Sequence, residues 1–291
     1  MVIMSDISVA LALTSAFLFA LSIQVQSLGL KFVDFRSGAL VNIGTTALIY
    51  WIVSPLFIKS SYWFAEATFL FALVGLFRPA LSLNLAAAGV KLLGPTLTSG
   101  LAATTPVFAA FFAIALLDEK ITLSIAVGTG GIVAGILVMA TRKTGGQPRG
   151  WPLWAMLLPL GAAFFRSIAY PVTMIGYKEL SDPFFAALVS YSVSLLIALS
   201  IFKIQGCKLS NFSPGYKWFA LAGAINAISI YSLNMALKFG QLLTIAPIVA
   251  CSPLFTMLIG WLFLKCEIIT WRKALSVTLL VGGIIIVIIK S

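Results

Sequence analysis

Long apolar stretches, separated by short polar or turn-forming segments, fill the chain from end to end. Each is close to the roughly 20 residues that an α-helix needs to cross the hydrocarbon core of a bilayer. They lie at residues 8–29, 36–54, 66–90, 95–117 and 122–141, and then at 152–177, 183–202, 216–238, 244–264 and 270–289. The pattern predicts about ten membrane-spanning helices, with the polar segment 142–150 as a linker between two sets of five.

Composition supports an all-α membrane protein. Of the 291 residues, 61% are hydrophobic and 9% are charged, and the mean hydropathy is +1.09. Soluble domains carry roughly 25% charged residues. We expect a multi-pass protein of the cell (inner) membrane, with its first stretch retained as a span because no basic segment precedes it, as it would in a signal peptide.

Charge and reactive side chains exclude several function classes. The net charge of +11 comes from scattered Lys and Arg residues, which indicates contact with membrane lipid and no nucleic-acid partner. Histidine is absent from the sequence, and the three cysteines have no metal-ligand or disulfide spacing. Without histidine or a mid-span acid, an intramembrane enzyme would have only Lys, Tyr or Cys for catalysis. We therefore expect no enzyme, metal or cofactor.

The two halves of the chain repeat each other. Chance identities would scatter in spacing, but the matched residues stay in register at an offset of 147 to 148 residues. We infer an internal duplication, 1–141 and 151–291, with five spans per unit. An odd number of spans turns the second copy over, so the predicted fold is a 5+5 inverted repeat. The matched pairs include Gly29 and Gly176, Lys31 and Lys178, Lys91 and Lys238, Pro106 and Pro253, Glu119 and Glu267, and Gly135 and Gly283.

One motif occurs twice: a span with a central proline ends at an acidic residue, and a glycine-bearing span follows. It reads Leu117-Asp118-Glu119 after Pro106, and Leu264-Lys265-Cys266-Glu267 after Pro253. The motif resembles the EamA-like repeat of the drug/metabolite transporter superfamily, over essentially the whole chain. The resemblance implies that spans 1, 3, 4, 6, 8 and 9 surround a central cavity, with the fifth and tenth behind. It also implies transport of a small molecule, such as an amino acid, nucleotide sugar, sugar phosphate, nucleoside or drug.

Two arginines are the strongest candidates for substrate binding. Arg78 and Arg166 lie near the middle of the third and sixth spans, too far from either end to reach water. A central arginine costs about 2.5 to 3.5 kcal/mol even on the lenient insertion scale, so each must face the bundle interior or a wet cavity. All eight acids fall in loops or near span ends, and unpaired guanidinium groups would bind a carboxylate or phosphate. The alternative is a structural role, in which each arginine binds a carbonyl that a nearby proline releases.

Helical spacing places further polar residues beside the arginines. Tyr170 shares a face with Arg166, and Ser82 shares one with Arg78. Similar stripes contain Asn84 in the third span, and Tyr231 and Asn234 in the eighth. These seven residues form the predicted substrate-binding set, although such stripes can instead join helices to each other.

Prolines and lysines are candidates for gating. Pro106 and Pro253 interrupt the hydrogen-bond ladder inside their spans and could act as hinges, or as fixed kinks needed for packing. Lys91 and Lys238 match across the repeat, but lysines at span ends also reach the interface without a gating role. Gly131 and Gly135 permit close helix approach, with the tenth span of the same chain as the expected partner.

Orientation and mechanism leave alternatives open at this point. Counting Lys and Arg between spans places both termini outside, whereas the resemblance implies cytoplasmic termini. The favoured function is transport of an anionic or zwitterionic metabolite by a monomer or homodimer, through alternating access. A flippase for a lipid-linked substrate is the second hypothesis, and a non-transporting receptor or assembly subunit the third.

Overall fold

Helices account for all of the regular structure in the residues that the computed structural model describes, which are 2–93, 95–140, 152–206, 213–262 and 271–289. Eight helical segments there are long and apolar enough to cross a membrane, and two shorter apolar helices cover Leu123–Val138 and Ala274–Ile288. The predicted all-α membrane fold of ten spans is confirmed. The predicted linker 142–150 lies outside the described residues, as do Cys207, Cys266 and Glu267.

The ten spans follow the predicted boundaries closely, except that span 1 starts several residues earlier than expected. Each helix ends near a charged or turn-forming residue, where the chain can meet water. In chain order, spans 1 to 10 are Val2–Gly29, Phe35–Phe57, Glu66–Leu93, Pro95–Leu117, Leu123–Ala140, Leu153–Glu179, Pro183–Ile204, Gly215–Phe239, Leu242–Leu262 and Trp271–Ile289.

Aspartates start two of these helices. The Asp34 carboxylate accepts a hydrogen bond of 3.0 Å from the Ser37 backbone N–H at the start of span 2. Asp182 accepts two bonds of 2.9 Å at the start of span 7, where Pro183 occupies the first turn and has no N–H to satisfy. Acidic side chains therefore satisfy helix ends instead of lining the membrane interior.

Three spans are broken in the middle. Span 3 passes through a wide helical turn at Leu76–Leu81, where Arg78 has extended backbone angles (φ −142°, ψ 126°). Span 4 is interrupted between Ala102 and Thr105, just before Pro106, and span 9 at Cys251, just before Pro253. The break in span 3 aims the arginine side chain differently from a regular helix.

Spans of the first repeat pack against spans of the second repeat and run antiparallel to them. In spans 1 and 8, Ser15 contacts Ser229 and Ser22 donates to the Ala222 carbonyl, so the two spans are antiparallel. Spans 3 and 6 are also antiparallel, since the Phe71 ring contacts that of Tyr177 whereas the Phe77 ring contacts that of Phe165. Because successive spans cross in alternate directions, span 6 runs against its counterpart, span 1. The second repeat is inverted relative to the first.

Spans 5 and 10 pack on each other behind the other helices, as the resemblance implied. The Ser276 hydroxyl donates to the Gly135 carbonyl at 2.6 Å, and a Cβ added to Gly131 would lie 3.6 Å from the Gly283 Cα. The buried apolar side chains between them include Ile132, Leu280 and Ile284. Within this chain, the glycine face of span 5 is therefore occupied by span 10.

Candidate functional site

A cavity of about 610 Å³ lies where the two repeats meet. This volume is in the range of pockets that hold small molecules. All six spans that the resemblance placed around a cavity contribute to it. Spans 2 and 7 add Asn42 and Tyr191 to its wall, and span 5, which the resemblance placed behind, reaches it through Ile136. The lining residues are Phe19, Ile23, Gln26, Phe35, Ala39, Asn42, Ile43, Arg78, Pro79, Ser82, Leu83, Ser99, Ala102, Ala103, Thr105, Pro106, Ile136, Arg166, Tyr170, Tyr191, Asn226, Ile230, Ala246, Val249, Ala250, Ser252 and Pro253.

The cavity extends toward one side of the membrane only. Its outermost lining residues, Gln26, Phe35 and Ser99, lie at span ends on the side opposite the N-terminus, which we call the far side. On the N-terminal side, the largest buried apolar cluster fills the space between the repeats. That cluster includes Tyr50, Phe71, Phe185 and Leu242. The structure is therefore closed on the N-terminal side.

Both candidate arginines line this cavity. The Arg78 guanidinium lies over the Tyr170 ring, 5.1 Å from its centroid, in a cation–π contact. Arg166 lies one helical turn before Tyr170 in span 6 and lines the same cavity. The packing of span 3 against span 6 thus brings two positive charges and one phenol together on one wall.

No acidic residue balances these charges within the described cavity wall, and the lining contains no Asp, Glu or Lys. The carbonyl that Pro79 releases, that of Gly75, accepts a hydrogen bond of 2.5 Å from the Ser194 hydroxyl. Across the described residues, neither guanidinium donates to a backbone carbonyl. Arg78 therefore does not make the bond to a proline-released carbonyl on which its structural alternative was based.

Two asparagines complete the polar part of the wall, and sequence reasoning did not select them. Asn226 donates to the Tyr191 hydroxyl at 2.9 Å and to the Thr46 hydroxyl at 3.3 Å. The buried Nδ2 of Asn42 lacks a hydrogen-bond partner among the described residues, although Asn42 lines the cavity. A buried donor without a partner is costly, so Asn42 is a donor available to a bound molecule. The sequence signal that could have identified them is an amide side chain inside an otherwise apolar span.

The structure also places the five other residues of the predicted substrate-binding set. Of the predicted set, Ser82 and Tyr170 line the cavity beside the arginines. Asn84 and Tyr231 are exposed and are not among the lining residues. Asn234 is buried elsewhere and donates to the Pro183 carbonyl at 3.2 Å, which joins spans 7 and 8. The substrate-binding role predicted for Asn84, Tyr231 and Asn234 gains no support from this geometry.

Of the four proposed gating residues, the two prolines line the cavity and the two lysines are not among its lining residues. Pro106 and Pro253 line the cavity directly after the breaks in spans 4 and 9. The Thr105 hydroxyl donates to the Ala102 carbonyl at 2.7 Å, which satisfies the acceptor that Pro106 leaves free. Lys91 and Lys238 are exposed at span ends, and Lys238 donates to the Ser181 carbonyl at 2.9 Å.

Two glutamates fasten the repeats together on the N-terminal side. Glu119, at the end of span 4, accepts bonds of 2.7 and 2.8 Å from the N–H groups of Leu242 and Leu243, which start span 9. Glu179, at the end of span 6, accepts bonds of 2.9 and 2.6 Å from Glu66 and Ala67, which start span 3. Each carboxylate of one repeat thus caps a helix of the other. Burial raises the pKa of Glu119, although the two N–H donors act in the opposite direction.

Comparison with known protein families also matches the two halves of the chain separately. A sequence model described as the EamA-like transporter family matches residues 6–141 and again residues 153–289. A solved structure, described only as the crystal structure of a protein, is similar with a TM-score of 0.79 over 96% of this chain and 95% of its own. Its sequence is 15% identical, so this likeness concerns the fold alone. No curated protein matches the sequence.

Proposed function

The chain belongs to the EamA-like transporter family, and from this premise we propose that it carries a small anionic or zwitterionic metabolite through its central cavity by alternating access. The family is one of membrane transporters, so a multi-pass transport protein is the starting point. The class of substrate and the transport cycle are our inference. We place the protein in the cell membrane, with the whole path inside one chain.

The observation that carries the choice of substrate is the pair of uncompensated arginines. A guanidinium away from water needs an opposite charge or several acceptors. Arg78 and Arg166 line the cavity, and the described lining offers them no carboxylate. A carboxylate or phosphate on the substrate would supply the missing charge and could accept two parallel hydrogen bonds from a guanidinium. An organic cation would add a third positive charge.

Alternating access is supported by where the cavity is open and where it is closed. The lining reaches the far side, while the N-terminal side is held by the Glu119 and Glu179 caps and the apolar cluster between them. Inverted repeats allow the opposite arrangement by exchange of conformations between the two halves. We propose that opening of the N-terminal side requires release of both glutamate caps.

The test is transport by the purified protein in liposomes. A panel of labelled amino acids, sugar phosphates, nucleotides and organic cations is offered to the wild type and to Arg78→Ala and Arg166→Ala. We expect saturable uptake or exchange of an anion or zwitterion, and a loss of at least about tenfold in each variant, the size expected for loss of a charged hydrogen bond. Lys203→Ala, which removes an exposed cation at the end of span 7, is the matched control and keeps full activity.

Other outcomes would contradict the proposal. Selective transport of organic cations would show that the arginines do not set the substrate charge. Full activity in both arginine variants would assign them to structure. Transfer of lipid between leaflets, without uptake of any soluble compound, would favour the flippase hypothesis.

A further inference from the structure

The two sides of the cavity differ in chemistry although the repeats have the same fold. Counterparts in spans 1 and 6 lie 147 residues apart. Arg166 therefore corresponds to Phe19, and Tyr170 corresponds to Ile23, and all four residues line the cavity. The pseudo-twofold axis relates span 6 to span 1, so these pairs face the cavity from opposite sides. The duplication is chemically asymmetric at its centre.

Spans 1 and 9 build part of the side opposite the arginines, and span 8 completes it with Asn226 and Ile230. The Gln24 side-chain amide in span 1 donates to the Thr256 carbonyl in span 9 at 2.7 Å, which joins these spans. They contribute Phe19, Ile23 and Val249 to the lining, and Gln26 and Ser252 are their only polar members among the described lining residues. Neither span contributes a charged residue there. We call this surface the apolar wall.

The apolar wall continues toward the mouth of the cavity. Ile23 and Phe35 line the cavity and are 49% and 40% exposed, so apolar surface remains uncovered near the far side. Uncovered apolar surface of this kind contributes binding energy when a ligand covers it. The cationic wall alone would select any small anion, but the apolar wall favours an anion that carries hydrocarbon or aromatic groups.

We propose that the substrate is an amphipathic organic anion, with its carboxylate or phosphate at Arg78 and Arg166 and its apolar body against the wall formed by spans 1 and 9. This inference rests on the proposed transport function and narrows its substrate class. It also disfavours a zwitterion, because an ammonium group would meet two guanidinium groups and no carboxylate in the described lining. A strongly hydrated anion without an apolar body would leave the apolar wall uncovered.

Ligand series on the unmodified protein test this without relying on any variant to fold. The purified protein is titrated with straight-chain carboxylates from acetate to decanoate, and binding is measured as the ligand-induced rise in unfolding temperature. Each acid is compared with the alcohol, the amine and the α-amino acid of the same chain length. We expect the half-saturating concentration of the carboxylates to fall by about three- to fourfold per methylene group until the cavity is filled. At equal length, the α-amino acid binds more weakly and the amine does not bind.

Variants assign the two ends of the ligand. Arg166→Gln weakens the preference for the carboxylate over the alcohol, because Arg78 is then the only guanidinium in the described lining. Phe19→Ser lowers the gain per methylene while the carboxylate preference persists. Phe69→Ser is the matched control, since Phe69 is 72% exposed and outside the lining, and it leaves both preferences unchanged.

The outcomes separate this inference from the proposed function. Affinity that does not depend on chain length, or an α-amino acid that binds as tightly as the matching carboxylate, would overturn the inference even if liposomes transport an anion. Chain-length-dependent carboxylate binding without transport would uphold the assignment of the cavity to amphipathic anions and overturn the transport proposal. A plateau at medium chain length assigns a soluble anion, and a rise through the longest chains assigns a membrane lipid as the source of the same chemistry.

Discussion

Arg78 and Arg166 place positive charge where the bilayer offers nothing to stabilise it. An arginine at the centre of a membrane helix costs about 2.5 to 3.5 kcal/mol on the lenient insertion scale. In this chain the cost is reduced by a cavity and by the Tyr170 ring, and not by an acidic partner in the described lining. Residues kept at such a cost commonly serve function at the expense of stability.

Replacement of Arg166 by methionine tests this trade-off. Methionine keeps the length of the side chain and removes the charge, so we expect Arg166→Met to unfold at the same or a higher temperature and to lose anion transport by at least about tenfold. Thermal unfolding in detergent and uptake into liposomes measure the two effects. Lys203→Met, at an exposed span end, serves as the control and changes neither. A variant that unfolds earlier and still transports would assign Arg166 a structural role.

The two cavity asparagines are expected to respond differently to the same truncation. Asn226→Ala removes two hydrogen bonds and leaves the Tyr191 and Thr46 hydroxyls without that donor, so the free energy of unfolding should fall by about 1 to 3 kcal/mol. Asn42→Ala removes an Nδ2 that bonds to no described residue, so its stability should change by less than about 0.5 kcal/mol. Denaturant unfolding compares them. Equal losses would show that Asn42 is also structural.

At the residue scale, the sequence identified the charged residues of the cavity, but it did not identify the cavity asparagines or the direction in which each helix face points. Arg78 and Arg166 stand out because an ionised group in an apolar span has few permitted surroundings. Helical spacing shows which residues share a face, but it does not show where that face points. Ser82 faces the cavity whereas Asn84 is exposed, because residues two apart on a helix do not share a face.

The broken third span depends on a serine of another helix. Ser194 of span 7 donates to the Gly75 carbonyl at 2.5 Å and lies 3.4 Å from the Arg78 carbonyl. We expect Ser194→Ala to lower the free energy of unfolding by about 1 to 3 kcal/mol, because a carbonyl inside the membrane loses its donor. Anion affinity should fall too, since Arg78 sits on the loosened turn.

A second serine on the same helix provides the control for that prediction. Ser200 donates only to the Leu196 carbonyl of its own span, so Ser200→Ala should leave both stability and affinity unchanged. Unfolding curves and ligand-induced shifts of the two variants are compared in one detergent. An unaffected affinity in Ser194→Ala would separate the break in span 3 from substrate binding.

Neighbouring glycines in span 10 test the contact with span 5. A Cβ on Gly283 would lie 2.6 Å from the Gly128 backbone oxygen, whereas a Cβ on Gly282 would meet nothing within 4 Å. We expect Gly283→Ala to lower the unfolding temperature by several degrees, because the helices must separate. Gly282→Ala should be neutral or slightly stabilising, since alanine favours the helix. Equal effects of both substitutions would contradict the observed face of span 10.

At the element scale, the ten spans could be predicted from the sequence because lipid leaves few choices. A backbone in hydrocarbon must satisfy its own hydrogen bonds, so every long apolar stretch becomes a helix. The positions of the breaks at Ala102 and Cys251 follow from Pro106 and Pro253, which the sequence displays. Pro79 indicates an interruption in span 3, but the extended backbone at Arg78 could not be predicted, because the carbonyl groups of this turn accept hydrogen bonds from Ser194, a residue of the other repeat.

At the scale of the whole molecule, Glu119 and Glu179 join the repeats on the closed side. Burial raises the pKa of Glu119 above its ordinary value of 4.5, so the folded protein holds this proton more tightly than the unfolded chain does. The contribution of Glu119 to stability is therefore greatest below pH 4.5 and is lost as the pH rises through the raised pKa.

We expect the wild type and the Glu119→Gln variant to differ in unfolding temperature by an amount that depends on pH. The unfolding temperature of the wild type relative to Glu119→Gln should be higher near pH 4 than near pH 7, as followed by thermal unfolding across that range. Asp118→Asn, which changes the exposed neighbouring carboxylate, should reproduce the wild-type profile. A Glu119→Gln profile identical to that of the wild type would mean that this carboxylate does not titrate in the closed state.

The cavity without acids has an electrical consequence. In the proposed cycle, the conformational change of the empty transporter moves two positive charges within the membrane field. A transporter that holds a monoanion moves one net charge, and a transporter that holds a dianion moves none. Each charge that crosses the full field gains or loses about 2.3 kcal/mol per 100 mV. The return of the empty protein would then depend most on voltage, whereas exchange of one anion for another of equal charge would be electrically silent. The resting potential itself would favour counterflow over net uptake.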